Sequence, residues 1–268
     1  APQLDLKMFG GWKSWQRTRR ARVLSHRSIP EPLWQLTLSR YRFLAGLEAS
    51  AAAELRDMTT LFLAEKEFFG AGGLTVNDEM AVAIAAQACL PVLRLGLHWY
   101  DAFKGIVVHA DAVMAQREVI DEFGVVHEFE EELSGEAMGG GPLMLSWADV
   151  QDSGESADWG YNVVIHEFAH VLDMRDGVAD GVPPLPDRRA REHWTIILGA
   201  EYRNFCGAVN DGFETVLDPY GAQSPDEFFA VASEAFFTVP EQTRAAHPQL
   251  YDLLVSFYRQ NPAAAAGA

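Results

Sequence analysis

One stretch of sequence decides the fold: residues 161–175 read Tyr-Asn-Val-Val-Ile-His-Glu-Phe-Ala-His-Val-Leu-Asp-Met-Arg. His166 and His170 are four residues apart, which places both on one face of an α-helix, one turn apart. Because the flanking residues are apolar nearly all round, the helix is predicted to be buried. Two imidazoles at this spacing can bind one tetrahedral zinc ion, and Glu167 points off their axis, where it can act on the water that zinc activates.

A third zinc ligand is expected from a second helix downstream. Ser224 is predicted to cap that helix and Pro225 to be its first residue, which makes Glu227 the matching carboxylate of a capping box. Glu227 and Glu234 are seven residues apart and share one face of a mostly apolar helix. The pattern therefore predicts that one of them binds the metal and the other supports a ligand, but it does not decide between them.

Two aspartates nearer the histidines are weaker candidates for that ligand. Asp173 lies two helical turns after His166, about 11 Å along the axis, which is too far to share a metal ion with it. Asp173 is instead predicted to accept a hydrogen bond from the His170 ring. Asp176 stands where some zinc peptidases supply a ligand, but they need a glycine at position 173 to turn the chain. Asp176 is therefore set aside.

Helical and strand patterns occupy different parts of the chain. Apolar residues recur at helical spacing over residues 51–69, where glycines end the pattern, and again over residues 80–93, with Asn77 or Thr75 as the predicted cap. Short apolar runs bounded by Gly or Pro then predict strands, at residues 106–108, 125–129 and 143–145. The chain is thus predicted to have an α+β fold, with a helical N-terminal region and a small sheet.

The run at residues 143–147 has two interpretations. It can be the edge strand beside the histidine-bearing helix, where free backbone groups would pair with an extended substrate. It can equally be an internal strand of the core. The sequence does not distinguish them.

Composition excludes several classes of protein. Of the 268 residues, 49% are hydrophobic and 22% charged, which is typical of a globular protein. The 21 Lys and Arg against 38 Asp and Glu leave a net charge of −17, which disfavours general nucleic-acid binding. The two cysteines, Cys89 and Cys206, have apolar or aromatic neighbours and are expected to be buried free thiols in a reducing compartment. The N-terminus lacks the apolar run of a signal peptide, so a cytoplasmic protein is predicted.

The chain is predicted to form one domain with two flexible ends. Residues 1–30 are polar and basic and are expected to be mobile. Residues 31–262 form the predicted domain, with a helical part at 31–100 and a catalytic core at 101–262. The Ala-rich residues 263–268 are predicted to be disordered.

Taken together, several blocks resemble the Mlc titration factor A family, a group of bacterial zinc metallopeptidases. The blocks keep their order and spacing between about residue 30 and residue 262. They are residues 89–93, 95–99, 141–147, 165–173, 181–183 and 218–237.

The resemblance implies a zincin-type core similar to the catalytic domain of anthrax lethal factor. It implies one zinc ion per chain, held by His166, His170 and Glu227, with Glu167 as general base and Tyr220 facing the metal. The implied activity is hydrolysis of peptides, with an aminopeptidase-like preference. The family's regulatory partner is a transcriptional repressor of the Mlc type, so the alternative function is that of a binding protein that sequesters such a repressor.

Overall fold

The computed structural model describes residues 18–111, 113–120, 126–133, 135–137 and 141–265. This part of the chain is mostly helical with a small sheet, so the predicted α+β class is confirmed. Residues 18–26 are helical (α1). The α-helices that follow are α2 (Glu31–Arg40), α3 (Arg42–Ala45), α4 (Ala49–Glu65), α5 (Asp78–Cys89), α6 (Trp147–Ser156), α7 (Val163–Asp173), α8 (Arg188–Asn210), α9 (Pro225–Thr238), α10 (Pro240–Ala246), α11 (Pro248–Tyr258) and α12 (Pro262–Ala265).

The main sheet has four strands in the order β1-β2-β6-β5. The strands are β1 (Glu67–Gly70), β2 (Gly105–His109), β6 (Leu143–Ser146) and β5 (Gly135–Ala137). The first three are parallel, whereas β5 runs antiparallel to β6 at one edge. A separate antiparallel hairpin joins β3 (Val113–Ile120) and β4 (Val126–Leu133).

The sheet decides between the two interpretations of residues 143–147. β6 pairs with β2 on one side and with β5 on the other, so it is an internal strand. Leu143 and Leu145 are each 1% exposed, as expected for a strand covered by helices. The edge beside helix α7 is instead formed by β5, which packs against that helix.

The helix predicted over residues 51–69 is too long at its C-terminal end. Helix α4 ends at Glu65, and Phe68 lies in strand β1. The ammonium of Lys66 donates to the carbonyl oxygens of Tyr100 and Phe103, the latter at 2.6 Å, and lies 4.0 Å from the centre of the Phe103 ring. These contacts with a distant segment hold Lys66 in an extended backbone conformation, so the chain leaves the helix at this point. Tertiary contacts therefore override the local helix propensity.

The next helix follows its prediction closely. Asn77 caps α5 by accepting a hydrogen bond from the backbone N–H of Met80 at 2.9 Å, so Asn77 rather than Thr75 is the cap. The helix ends at Cys89, and residues 90–93 continue as turns. Both cysteines are free thiols; Cys89 is buried as predicted, whereas Cys206 is only half-buried.

Each of the two segments predicted to be flexible includes described residues with buried contacts. Ile29 is buried, and its carbonyl oxygen accepts a hydrogen bond from Arg56 at 2.6 Å, so part of the predicted flexible segment 1–30 is folded. At the other end, Ala263 is buried and its N–H donates to the Tyr251 hydroxyl at 2.9 Å, within the predicted disordered tail 263–268. Residues 1–17 and 266–268 lie outside the described part of the chain.

Helix α7 lies at the centre of the core. On its apolar side, Phe168 contacts the rings of Phe62, Tyr100 and Phe103, with ring centres 5.9, 4.8 and 5.8 Å away. Aromatic contacts of this kind, two of them edge-to-face, hold the helix at a defined rotation. The opposite face of α7 packs against α9, and the two helices together carry the residues predicted to bind metal. Among the described residues, no helix is both long and apolar enough to cross a membrane.

Candidate metal centre

The start of helix α7 sets the position of the two histidines. Asn162 caps the helix by accepting a hydrogen bond from the backbone N–H of Ile165 at 2.9 Å. The Asn162 side chain in turn donates to the buried amide oxygen of Gln87 at 2.8 Å. Because both ends of the Asn162 amide are engaged, the first turn of α7 has a defined position against α5.

Three side chains from α7 and α9 converge on one point. Nε2 of His166 and Nε2 of His170 are 3.2 Å apart. Oε2 of Glu227 lies 3.0 Å from His166 Nε2 and 3.4 Å from His170 Nε2. Tetrahedral zinc with bonds of about 2.0–2.1 Å would hold its ligand atoms roughly 3.3 Å apart. The three sides of this triangle therefore match the spacing that a tetrahedral metal ion requires.

The chemistry of these donors also fits a divalent metal ion. Oε2 of Glu227 is buried and accepts no hydrogen bond of good geometry within the described part of the chain. Burial raises the pKa of Glu227, but its contacts with His166 and His170 outweigh that effect and lower the pKa to about 2. A buried carboxylate that stays ionised needs a positive partner. His166, His170 and Glu227 are thus a group that could hold a metal ion.

Helix α9 brings Glu227 to the histidines. Ser224 accepts a hydrogen bond from the backbone N–H of Glu227 at 3.4 Å, and Pro225 is the first helical residue, so the predicted cap is confirmed. The side chain of Glu227 reaches the histidine pair. Glu227, which was also predicted to be a capping-box carboxylate, therefore lies in the cluster.

Glu234 takes the supporting position on the same helix, two turns further on. It is 1% exposed, and its Oε1 lies 2.7 Å from Nδ1 of His166. Its other oxygen, Oε2, accepts a hydrogen bond from the backbone N–H of Asn162. Because a carboxylate accepts, Nδ1 of His166 donates to it, and this leaves the Nε2 lone pair directed at the cluster. The structure thereby separates the roles that the sequence left open between Glu227 and Glu234.

Glu167 lies beside the cluster without belonging to the triangle. It is 4% exposed, and its Oε2 accepts no hydrogen bond from any described residue. Burial raises the pKa of Glu167 to about 7, against the opposing effect of His166 and His170. A carboxylate with a pKa near neutrality can take up and release a proton, as a general base must.

Tyr220 approaches the cluster from the solvent side. It lies in the 3₁₀ helix Pro219–Ala222, which begins when Asp218 accepts a hydrogen bond from the backbone N–H of Tyr220 at 2.8 Å. Its ring centre is 6.0 Å from that of His166, and the residue is 40% exposed. The structure therefore brings all five residues predicted for the site into one neighbourhood.

Asp173 does not form the predicted hydrogen bond with His170. Its Oδ2 accepts from the backbone N–H of Gly181 at 2.8 Å, while Oδ1 has no partner among the described residues. Asp173 is the last residue of α7, where its side chain can reach the following loop. Burial raises the pKa of Asp173 to about 6.

Gly181 is a contact point between three elements. Its carbonyl oxygen accepts a hydrogen bond from Nε1 of Trp194 on α8 at 2.9 Å, and its N–H donates to Asp173 on α7. It has a φ of +74°, and a Cβ atom there would lie 2.4 Å from the carbonyl oxygen of Pro225 on α9. We call the set of Asp173, Gly181, Trp194 and Pro225 the Gly181 junction. Asp176, which the sequence set aside as a ligand, instead pairs with Arg191 at 3.1 Å.

Sequence reasoning missed three of these supporting residues. Asn162 precedes an apolar helical run, so its capping role could have been predicted from its position. The roles of Gln87 and Gly181 depend on contacts with residues 75 and 44 positions away in the sequence, Asn162 and Pro225. No local pattern carries that information.

The sequence of this chain is similar to those of several known proteins. The sequence profile of the family described as glucose-regulated metallo-peptidase M90 matches residues 12–259. A protein named Mlc titration factor A from Salmonella arizonae is 34% identical over 254 residues, which cover 94% of this chain and 96% of the relative. A protein of the same name from Klebsiella pneumoniae is 36% identical over 224 residues, which cover 82% of this chain and 83% of the relative. An uncharacterized protein of Synechocystis is 36% identical over 253 residues, covering 94% and 90%. The chain belongs to the glucose-regulated metallo-peptidase M90 family.

Proposed function

We propose that this protein is a zinc-dependent peptidase, with one zinc ion held by His166, His170 and Glu227. The observation that carries the proposal is the triangle of ligand atoms with sides of 3.0, 3.2 and 3.4 Å. Beside it lies Glu167, whose buried Oε2 accepts no hydrogen bond from the residues that the structure describes. Two imidazoles and one carboxylate are a donor set of catalytic zinc sites, in which a fourth position stays open. The proposed catalytic domain covers residues 31–262, and the proposed location is the cytoplasm.

The residues around the proposed metal ion have different roles in hydrolysis. Zinc, when bound, supplies a Lewis acid that polarises the scissile carbonyl and acidifies water. Glu167 takes the proton of the attacking water and passes it to the amine that leaves, a role that suits a buried carboxylate with a pKa of about 7. Glu234 orients His166 by accepting the proton on Nδ1.

Two features beside the metal centre are proposed to bind the substrate. The hydroxyl of Tyr220, on the solvent side of His166, donates a hydrogen bond to the oxygen that becomes negatively charged during attack on the peptide. Strand β5 forms an edge of the sheet next to α7, so an extended peptide can pair with its free backbone groups. An aminopeptidase-like preference is part of the proposal and rests on the family resemblance.

A test of this proposal is the Glu167→Gln variant. The amide that replaces the carboxylate cannot accept a proton, whereas the three metal ligands are unchanged, so we expect normal zinc content with turnover reduced by about 10²–10⁴-fold. Zinc-loaded protein would be assayed on a panel of peptides and aminoacyl substrates, and bound zinc would be measured by mass spectrometry. Glu155→Gln, on the exposed side of α6, is the matched control. Equal turnover in wild type and Glu167→Gln would contradict the mechanism.

A second function is supported by the names of the relatives. Several are called Mlc titration factor A, so we propose that this chain also binds a transcriptional repressor of the Mlc type. Binding and catalysis are separable by pull-down of the purified repressor with Glu167→Gln. Retention of the repressor at wild-type affinity would show binding independent of catalysis, and no retention by either protein would remove this candidate.

A further inference from the structure

A groove with aromatic walls lies on α8 and α11, apart from the metal ligands. It encloses about 410 Å³ between the loop at 184–186, the start of α8 and the C-terminal end of α11. Trp99, Trp194 and Phe257 form its walls. The ring centre of Phe257 is 5.7 Å from that of Trp99 and 5.5 Å from that of Trp194, both in edge-to-face geometry. The walls can therefore accept a flat or branched apolar side chain.

Every ionisable group that lines this groove is basic. Arg175, Arg259, His98 and His193 line it, and no Asp or Glu does so in the part of the chain that the structure describes. This is unexpected in a protein with 38 acidic and 21 basic residues. Because salt screens exposed charges beyond about 8 Å, a ligand in the groove is affected mainly by the guanidinium groups of Arg175 and Arg259 and less by the net charge of −17.

Contacts with the surrounding structure hold the side chain of Arg175 and the backbone at Arg259. Arg175 donates a hydrogen bond to the carbonyl oxygen of His98 at 2.6 Å, and its guanidinium carbon lies 5.0 Å from the centre of the Trp99 ring. Arg259 ends α11 with a φ of +54°. The next residue, Gln260, donates to the carbonyl oxygen of Leu90 at 2.8 Å, which fixes the chain where it leaves the helix. The Arg175 guanidinium is therefore largely positioned before a ligand binds, and the Arg259 side chain extends from a fixed backbone.

We propose that this groove, the Trp99–Phe257 groove, binds an acidic segment of a partner protein. An apolar side chain of that segment would pack between Trp99 and Phe257, and its carboxylates would pair with Arg175 and Arg259. Charge complementarity selects this occupant, because basic groups line a site with apolar walls. The inference is independent of the metal centre and would stand if the peptidase proposal failed.

The test is selection of a random peptide display library on the full-length protein. We expect the bound peptides to be enriched in Asp and Glu next to Leu, Phe or Trp. One enriched peptide, labelled with fluorescein, would then be titrated by anisotropy against wild type and Arg175→Gln/Arg259→Gln. We expect about tenfold weaker binding to the double variant, and weaker binding to wild type as NaCl rises from about 0.05 to about 0.5 M.

Two further variants make the result specific to the groove. Arg203→Gln/Arg244→Gln removes the same charge from exposed positions elsewhere, and its affinity should equal that of wild type. Arg175→Glu/Arg259→Glu should select basic peptides in place of acidic ones. If Arg175 variants melt earlier, Arg259→Gln alone carries the measurement. Selection of no peptide, or of peptides that bind the double Gln variant as tightly as wild type, would overturn the proposal.

Discussion

At the scale of single residues, His166 has the most demanding role in the candidate site, because each of its ring nitrogens has a different partner. Nδ1 faces Glu234 at 2.7 Å, and Nε2 faces Glu227 at 3.0 Å. Glu234 also accepts the backbone N–H of Asn162, the residue that caps helix α7. One buried carboxylate therefore orients a proposed metal ligand and holds the start of the helix that carries it.

We expect Glu234→Gln to weaken zinc binding by about 10–100-fold. A glutamine has one acceptor oxygen, whereas two N–H donors, on His166 and Asn162, face the Glu234 carboxylate. One donor would then meet the amide NH₂ group, and the His166 ring would lose its orientation. Affinity would be measured by competition with a chromophoric zinc chelator.

The chain contains a matched control for that variant. Glu201 lies 3.0 Å from Nδ1 of His247, so Glu201→Gln changes a similar histidine–carboxylate pair outside the cluster. We expect its zinc affinity to equal that of wild type. Equal affinities for all three proteins would show that Glu234 does not support a zinc ligand.

At the scale of elements, the site depends on the relative position of helices α7 and α9. His166 and His170 come from one helix and Glu227 from the other, and the triangle forms because the two helices pack together. The Gly181 junction joins them a second time, because Gly181 donates to the end of α7 and closely approaches the first residue of α9. Glu227 is two residues after Pro225, so a shift at the junction reaches the cluster.

We expect Gly181→Ala to weaken zinc binding and to lower the melting temperature. Its Cβ would lie 2.4 Å from the Pro225 carbonyl oxygen, so the start of α9 would have to move. Overpacking of this kind costs about 1–3 kcal/mol. Gly177→Ala is the control, because Gly177 also has a positive φ, +94°, but a Cβ there meets nothing within 4 Å.

Comparing Gly181→Ala with Gly177→Ala separates the effect of backbone strain from the effect of the close contact with α9. Both variants should lose some stability, since positive φ disfavours alanine. Chelator competition should show weaker zinc binding for Gly181→Ala alone. Equal zinc affinities in the two variants would mean that the junction does not position Glu227.

At the scale of the whole molecule, the candidate metal site is part of the folded core. One side of helix α7 packs against aromatic rings. Its opposite face carries ionisable groups such as Glu167, whose charged form is destabilised by burial unless a partner of opposite charge is near. A metal ion that binds the folded chain and not the unfolded one must therefore stabilise the fold.

We expect removal of zinc with EDTA to lower the melting temperature by about 10 °C. The reference is protein at a free zinc concentration about a thousand times the Kd for zinc. Differential scanning calorimetry would measure both forms. Glu227→Gln lacks one proposed ligand, so its melting temperature should respond weakly to zinc. A full response in that variant would place the stabilising ion elsewhere on the protein.

The helix at residues 163–173 and the two histidines on its face follow from local sequence. So do the caps at Asn77 and Ser224, because periodicity and capping depend on residues within about four positions of each other. The same rules narrowed the third proposed ligand to Glu227 or Glu234, and the family resemblance then pointed to Glu227.

Other features were decided only when distant segments met. The different positions of Glu227 and Glu234 depend on how α9 packs on α7. Residues predicted to continue helix α4 form strand β1 instead, because Lys66 binds carbonyl groups more than thirty residues away. Strand β6 is internal because β5 pairs with its outer edge. The sequence by itself determined which side chains could bind a metal, since donor chemistry and helical spacing are local. The tertiary structure decided which of them meet, because packing between helices sets distances that no local pattern encodes.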